Sequence, residues 1–432
     1  MKDASYPAPT GTGLRGVHHS GTGPKLSTLI AGGDLPNLMQ VQAGSIAAFD
    51  QFLRARCLDL TDYLAGDAVS AYPALANIPQ NSWASGCVVD GRLYGLPIDR
   101  GVSFTWLLYG RQDLLEKKGI TEDPRSFAEF RDLCVELTDA KRNVWALASS
   151  PLDEIRKMLK IPNGWSVQGG EFVSAVEHEA QEEALEAARK MVESGVVHPD
   201  SLVDTSKWQQ WFAAGSAYFH SNTYSGWFSL YQTFGADYPD MRVRPMQYPG
   251  FDGGSGAGWL GPASKHIVAL SKESKDRAET ILKIADYLAS PFGTEEYRYL
   301  SYGIEGRHYT SKGSDPVPIP EKVPEIKLDV RYLGSGPMAM YYPADSDEVR
   351  AQYEHQLEFT KTAVTDPSAG LFSPTSSRRG AALGQQMSDL ANDIVLGRKP
   401  VSAWRKGVEE WRGGGGRNIA RELAGARAAN TR

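Results

Sequence analysis

Gln40 and Gln42 close the run NLMQVQ, and Asp99 and Arg100 close YGLPIDR, in a chain of 432 residues. Amides, carboxylates and guanidinium groups at the ends of apolar runs form hydrogen bonds to hydroxyls, and aromatic planes cover patches of C–H. A pyranose offers both surfaces: hydroxyls round its edge and C–H on its faces. Such groups belong at the carboxyl ends of strands, where open α/β sheets hold their ligands. The chain carries ten Trp and nineteen Tyr, enough to supply a core and a ligand cleft together. The other reading of Gln40 and Gln42 is an exposed loop, and of Asp99 and Arg100 a structural ion pair.

Other chemistries find less support. GxGxxG occurs as GTGLRG (11–16) and GAGWLG (256–261). A dinucleotide fingerprint needs a strand before it and a helix opening after it. The first instance follows a Pro-rich terminus and the second precedes a strand-like segment, so neither fits. His18 and His19 point to opposite sides of a strand and lack an acidic cluster, which argues against a metal pair. The chain contains neither GxSxG nor HExxH, and 52 acidic residues make chance carboxylate pairs uninformative.

A net charge of −6 and a pI near 5.8 argue against nucleic acid as partner. Hydrophobic content of 41% with 23% charged residues describes an ordinary globular chain, long enough for two or three domains. Cys57, Cys87 and Cys134 are far apart, without a CxxC or a histidine at metal spacing, so packed free thiols are expected and one bridge stays open. No apolar run approaches a membrane span. The first residues, MKDASYP, lack the apolar core of a secretory signal.

The elements that would position these residues are legible in the pattern. Residues 1–24 read as loop, with Leu14 to His18 the one strand-like stretch. KLSTLIAGG is a short helix ending on Gly32 and Gly33, and NLMQV a buried strand. SFTWLLY (103–109) is a continuous apolar run, expected to be a strand covered on both faces. Ser126 and Glu129 form a capping box ahead of the stripe Phe127, Phe130, Leu133, Cys134 and Leu137. Residues 177–195 predict a helix with Leu185, Ala188 and Val192 inward. SKHIVAL (264–270) predicts a strand, and a helix is expected over 276–300. Trp404, Val408 and Trp411 recur at i, i+4 and i+7 and predict a docked C-terminal helix. Alternating strands and helices imply α/β layers with mostly parallel sheets.

Four blocks, in order, carry a resemblance: LIAGGDLPNLMQV (29–41), LLYGRQDLLEKKGI (107–120), YGIEGRHY (302–309) and DIVLGRKPVSAWRKGVEEWRGGGGRNIARE near the end. The chain resembles the extracellular solute-binding proteins of bacterial ABC importers, in the oligosaccharide-binding branch of the LplA, YtcQ and alginate-oligosaccharide binders. That resemblance implies the periplasmic-binding-protein type II fold: two α/β lobes with a hinge and a ligand cleft between them. Lobe one would take 1–104 and 262–306, and lobe two 105–261 and 307–432. The crossovers would fall near Ser103–Leu107 and Gly258–Pro262. The family's first βα unit looks missing from the start of this chain. An exported protein, lipid-anchored as a precursor, is implied, with its leader outside this sequence.

By the same resemblance, AYFHSNTYSGWFS (217–229) matches a strand–turn–helix segment ending in a sugar-stacking Trp, which places Asn222, Tyr224 and Trp227 at the ligand. Trp165 in NGWSVQGG sits where relatives place an aromatic in lobe two. Trp259 and Tyr341 are further ligand candidates. Some relatives carry a calcium loop where this chain reads LTDAKRNVW; Asp139 lacks the companion carboxylates, so no calcium is expected. The implied protein is a monomer without cofactor, metal or catalysis. It would bind a sugar or oligosaccharide and pass it to the membrane permease subunits of the importer. A sensory sugar-binding protein and a carbohydrate-active enzyme with a Trp-rich cleft are the rival readings.

Overall fold

A computed structural model describes residues 16–17, 29–30, 32–33, 35–42, 46, 49–84, 87–202, 204–326 and 346–430. His18, His19 and Tyr341 lie outside the described residues. The chain folds as two compact units, the first built from residues 1–101, 262–356 and 369–378, the second from 102–261, 357–368 and 379–432.

The first unit holds a four-stranded sheet in the order Gly16–Val17, Leu38–Gln42, His266–Leu270 and Leu96–Pro97. The first pair is parallel, while His266–Leu270 runs antiparallel to both its neighbours. Met39, Val41, Ile267, Val268, Ala269 and Leu270 are all buried, as a strand covered on both faces requires. The helices Phe49–Arg56 and Ala278–Leu288 bring Phe52, Leu53, Ile281, Leu282 and Ala285 to this core.

The single helix expected over 276–300 is two. Ala278–Leu288 stops before Pro291, and Glu295–Tyr302 starts anew, with the Thr294 hydroxyl accepting the Tyr297 N–H at 3.1 Å. A proline without an N–H, followed by Gly293 at φ +94°, breaks the ladder there. The chain beyond residue 306 departs from the expected lobe boundary too. The hairpin Tyr309–Lys312 with Asp315–Pro318 and the 3₁₀ segment Pro320–Ile326 belong to the first unit. His308 is the tie: its Nδ1 accepts the Ile304 N–H at 2.9 Å and its main-chain oxygen accepts from Ile319.

The second unit's sheet runs Val243–Pro245, Trp106–Arg111, Ala217–Thr223, Trp145–Leu147. Trp106–Arg111 is antiparallel to both neighbours, and only the last pair is parallel. Both sheets are therefore mixed rather than mostly parallel. Strands entering a unit at a crossover, His266–Leu270 and Trp106–Arg111, have no βαβ connection to the strand beside them to fix a parallel direction.

The helix Phe127–Leu137 begins as expected, with the Ser126 hydroxyl accepting the Glu129 N–H at 3.2 Å. Glu129 reaches back one residue further than a capping box, to the Arg125 N–H at 2.8 Å. Trp404, Val408 and Trp411 are buried, and the Trp404 indole donates to the Val176 oxygen at 3.1 Å. The helix Gln181–Glu193 buries Leu185 and Ala188 as expected, with Met191 inward and Val192 only half-buried. The three cysteines are buried and free; burial pushes the Cys57 thiol up to about 12.

Candidate ligand-binding site

In the first unit the expected polar residues gather at one end of the sheet. Gln42 stands opposite His266, and Ile98 donates to the His266 oxygen at 3.1 Å, so Asp99 and Arg100 emerge beside that strand. Both glutamines lie within the strand Leu38–Gln42. Gln40 is paired with Val268 and buried, and its Oε1 has no hydrogen-bond partner. Asp99 is buried and accepts the Ser82 hydroxyl at 2.5 Å. The Arg100 Nη1 donates to the Asp99 main-chain oxygen at 3.3 Å, so the carboxylate is held by a serine.

In the second unit the candidates divide between the two faces of the sheet. Side chains alternate along a strand, and the register sets Trp106 against Thr223, Leu107 against Asn222, Leu108 against Ser221 and Tyr109 against His220. Leu107, Tyr109, His220 and Asn222 share one face; Trp106, Leu108, Ser221 and Thr223 share the other.

The first of these faces is packed shut. The helix Tyr224–Phe234 starts directly after the strand, its Tyr224 N–H bonded to the Thr105 oxygen at 2.7 Å. Trp227 is 2% exposed and meets Tyr109 edge-on at 5.7 Å and Tyr224 at 6.1 Å. Asn222 turns its Oδ1 to the Thr223 N–H at 2.8 Å; its Nδ2 is buried without an acceptor. Gly226 makes room for that amide, since a Cβ there would stand 2.3 Å from the Asn222 side chain. His220 is buried against Phe212, and burial lowers its pKa to about 4.

The other face carries a buried polar cluster. The helix Leu152–Met158 presents Glu154 and Lys157, one turn apart and both buried. Glu154 accepts the Ser221 hydroxyl. The Lys157 ammonium donates to the Trp106 oxygen at 3.1 Å and to the Tyr248 hydroxyl at 3.0 Å. That hydroxyl also accepts the Leu108 N–H at 3.0 Å. Burial raises the Glu154 pKa; for Lys157 burial acts against the charge, but the Tyr248 phenol and the Glu154 carboxylate outweigh it and raise the pKa. The Lys157 charge lies 4.7 Å from the Tyr248 ring centre and 5.6 Å from that of Trp259.

Trp259 and Trp165 are joined through one loop. The Trp259 indole donates to the Ile161 oxygen at 2.9 Å, and the Asn163 amide donates to the Leu260 and Val364 oxygens. Trp165 follows two residues on and packs against Phe172 and Trp411. Both indoles are half-buried and have structural partners.

Trp106 lies within SFTWLLY, a run whose continuous apolar pattern predicts cover throughout. It is 48% exposed, while Leu107 to Arg111 are buried. The signal was positional: an indole at the first residue of a strand that begins at a chain crossover. A surface depression of about 590 Å³ lies elsewhere, lined by Asp113, Glu116, Lys117, Pro239, Asp240 and Arg242. It offers no aromatic plane, and Glu116 and Arg242 are already paired there. Among the described residues no three His, Cys, Asp or Glu side chains are grouped to hold a metal.

Two mixed α/β units with sheets of these orders form the periplasmic-binding-protein type II fold. The alginate-binding protein AlgQ2 superposes with a TM-score of 0.65 at 14% identity, covering 93% of this chain and 88% of that one. A human-milk-oligosaccharide (HMO) binding solute-binding protein from Bifidobacterium longum infantis gives 0.65 at 13%, covering 93% and 89%. Residues 11–295 match the family of bacterial extracellular solute-binding proteins, and the chain belongs to it. Among characterised relatives, the polygalacturonan/rhamnogalacturonan-binding protein YtcQ of Bacillus subtilis is 24% identical, over 92% of this chain and 82% of its own length. Lipoprotein LipO of the same organism is 20% identical, over 94% and 84%.

Proposed function

We propose that this protein captures a sugar or oligosaccharide outside the cytoplasm and delivers it to the membrane permease of an ABC importer. The observation that carries this reading is family membership together with relatives named for saccharide ligands that match over nine-tenths of the chain. The residues agree with it. Gln42, Asp99 and Arg100 at a strand end of the first unit supply hydrogen-bonding groups for hydroxyls. Half-buried Trp165 and Trp259, with Gln40 and Tyr341, complete the proposed ligand set, whereas Asn222, Tyr224 and Trp227, the sequence's other candidates, pack into the second unit's interior.

Capture would proceed by hinge closure, with the chain crossings around residues 101–105 and 258–262 as pivots. Ligand that binds the closed form better shifts the population toward it, and the permease reads that form. The protein acts as a monomer, without catalysis.

Calorimetric titration with a panel of acidic and neutral oligosaccharides tests the reading: saturable binding with the sugar recovered unchanged is expected. Cleavage of the sugar would place the protein among enzymes instead. Deletion of the gene should abolish uptake of the bound sugar; normal uptake with a lost transcriptional response would make it a sensor.

A further inference from the structure

We infer that Trp106 is a sugar-stacking platform of the second unit, on the sheet face opposite Trp227. This inference rests on the saccharide reading and adds a contact residue to it. Among the described residues, Trp106 is the exposed tryptophan; the others are buried or half-buried. The indole is 48% exposed at the head of an otherwise buried strand, so its flat apolar plane is open to a ring stacked upon it.

Its surroundings make that plane rigid. The strand's next two residues are locked into the sheet by pairing with Asn222 and Ser221. The main-chain oxygen of Trp106 itself is held by the buried Lys157 ammonium at 3.1 Å. A buried ammonium that bonds this carbonyl and the Tyr248 hydroxyl together fixes the strand end from which the indole projects.

The neighbouring groups suit a pyranose. Thr223 lies directly across from Trp106, at the carboxyl end of its strand, and its hydroxyl is 3.1 Å from that of Ser225. Both residues are half-buried. An aromatic plane flanked by paired hydroxyls matches a ring with a C–H face and a hydroxyl edge. Strand ends of this kind are where open α/β sheets bind ligands.

The test uses the full chain and calorimetry with trigalacturonate, an alginate trimer, a human-milk tetrasaccharide and maltotetraose as probes. For the probe that binds the wild-type protein, Trp106→Ala should weaken affinity roughly tenfold or more, and Trp106→Phe should restore part of it. Iodide quenching supplies a second readout. Saturating probe should protect an exposed tryptophan in the wild type, and that protection should vanish in Trp106→Phe. Unchanged affinity in both variants, with wild-type binding intact, overturns the inference and leaves the saccharide reading standing. No binding of any probe by the wild type sinks the saccharide reading, and this inference falls with it.

Discussion

The Lys157 ammonium and the Trp106 carbonyl lie 3.1 Å apart, and this bond joins a buried charge to the one exposed residue of its strand. Lys157 also bonds Tyr248, while Glu154 one turn away binds Ser221. Four segments distant in sequence thus share a single polar cluster inside the second unit.

Lys157→Met should destabilise the protein by about 3–5 kcal/mol, because it removes one charge of a buried set and leaves the Glu154 carboxyl uncompensated. Urea unfolding measures the loss. Adding Glu154→Gln should recover part of it, since an amide still serves Ser221 without needing a counter-charge. Equal losses in the single and double variants would separate the two groups energetically.

Trp227→Ala carries a different expectation from the one its sequence context suggests. With the indole 2% exposed between Tyr109 and Tyr224, truncation opens a cavity and should cost about 3–5 kcal/mol of stability. Any fall in sugar affinity then has to be read beside the unfolding curve. Trp227→Phe keeps most of the packing and is the cleaner probe. An unfolding midpoint unmoved by Trp227→Ala would contradict the packed position.

Local signals were legible and cross-strand ones were not. Ser126 caps its helix, and Trp404, Val408 and Trp411 bury one face, because both facts follow from spacing within a single element. The break at Pro291 to Thr294 is equally local, but the long amphipathic run on either side of it masks it. Which tryptophan faces solvent was another matter. Trp106 and Trp227 differ because the register puts Thr223 across from the first, while the helix after that strand packs the second onto Tyr109. Register is set by pairing between segments more than a hundred residues apart, and no window of sequence contains it.

Gly303→Ala tests the motif YGIEGRHY. Gly303 ends the helix Glu295–Tyr302 at φ +78°, where L side chains are strained. A Cβ would stand 2.6 Å from His308 Nδ1 and 2.5 Å from Ile326 Cγ2, so the ring that accepts the Ile304 N–H has to move. A loss of about 2–3 kcal/mol is expected. Hydrogen exchange should show it concentrated in residues 303–326.

His220 should make stability depend on pH. The ring is 3% exposed, packed on Phe212, and burial holds its pKa near 4 against 6.5 for the free side chain. At pH 7 both folded and unfolded forms are neutral, and the group contributes its full packing. As pH falls below 6.5 the unfolded chain takes up a proton that the folded ring refuses, so stability drops until the folded pKa is reached. The slope from this one residue approaches about 1.4 kcal/mol per pH unit. His355, whose pKa burial also lowers to about 4, adds a second such term, and His198 a smaller one in the same direction. His220→Leu should therefore flatten, without abolishing, the fall in urea midpoint between pH 6.5 and 4. Parallel pH profiles for wild type and His220→Leu between pH 6.5 and 4 would contradict a neutral buried imidazole.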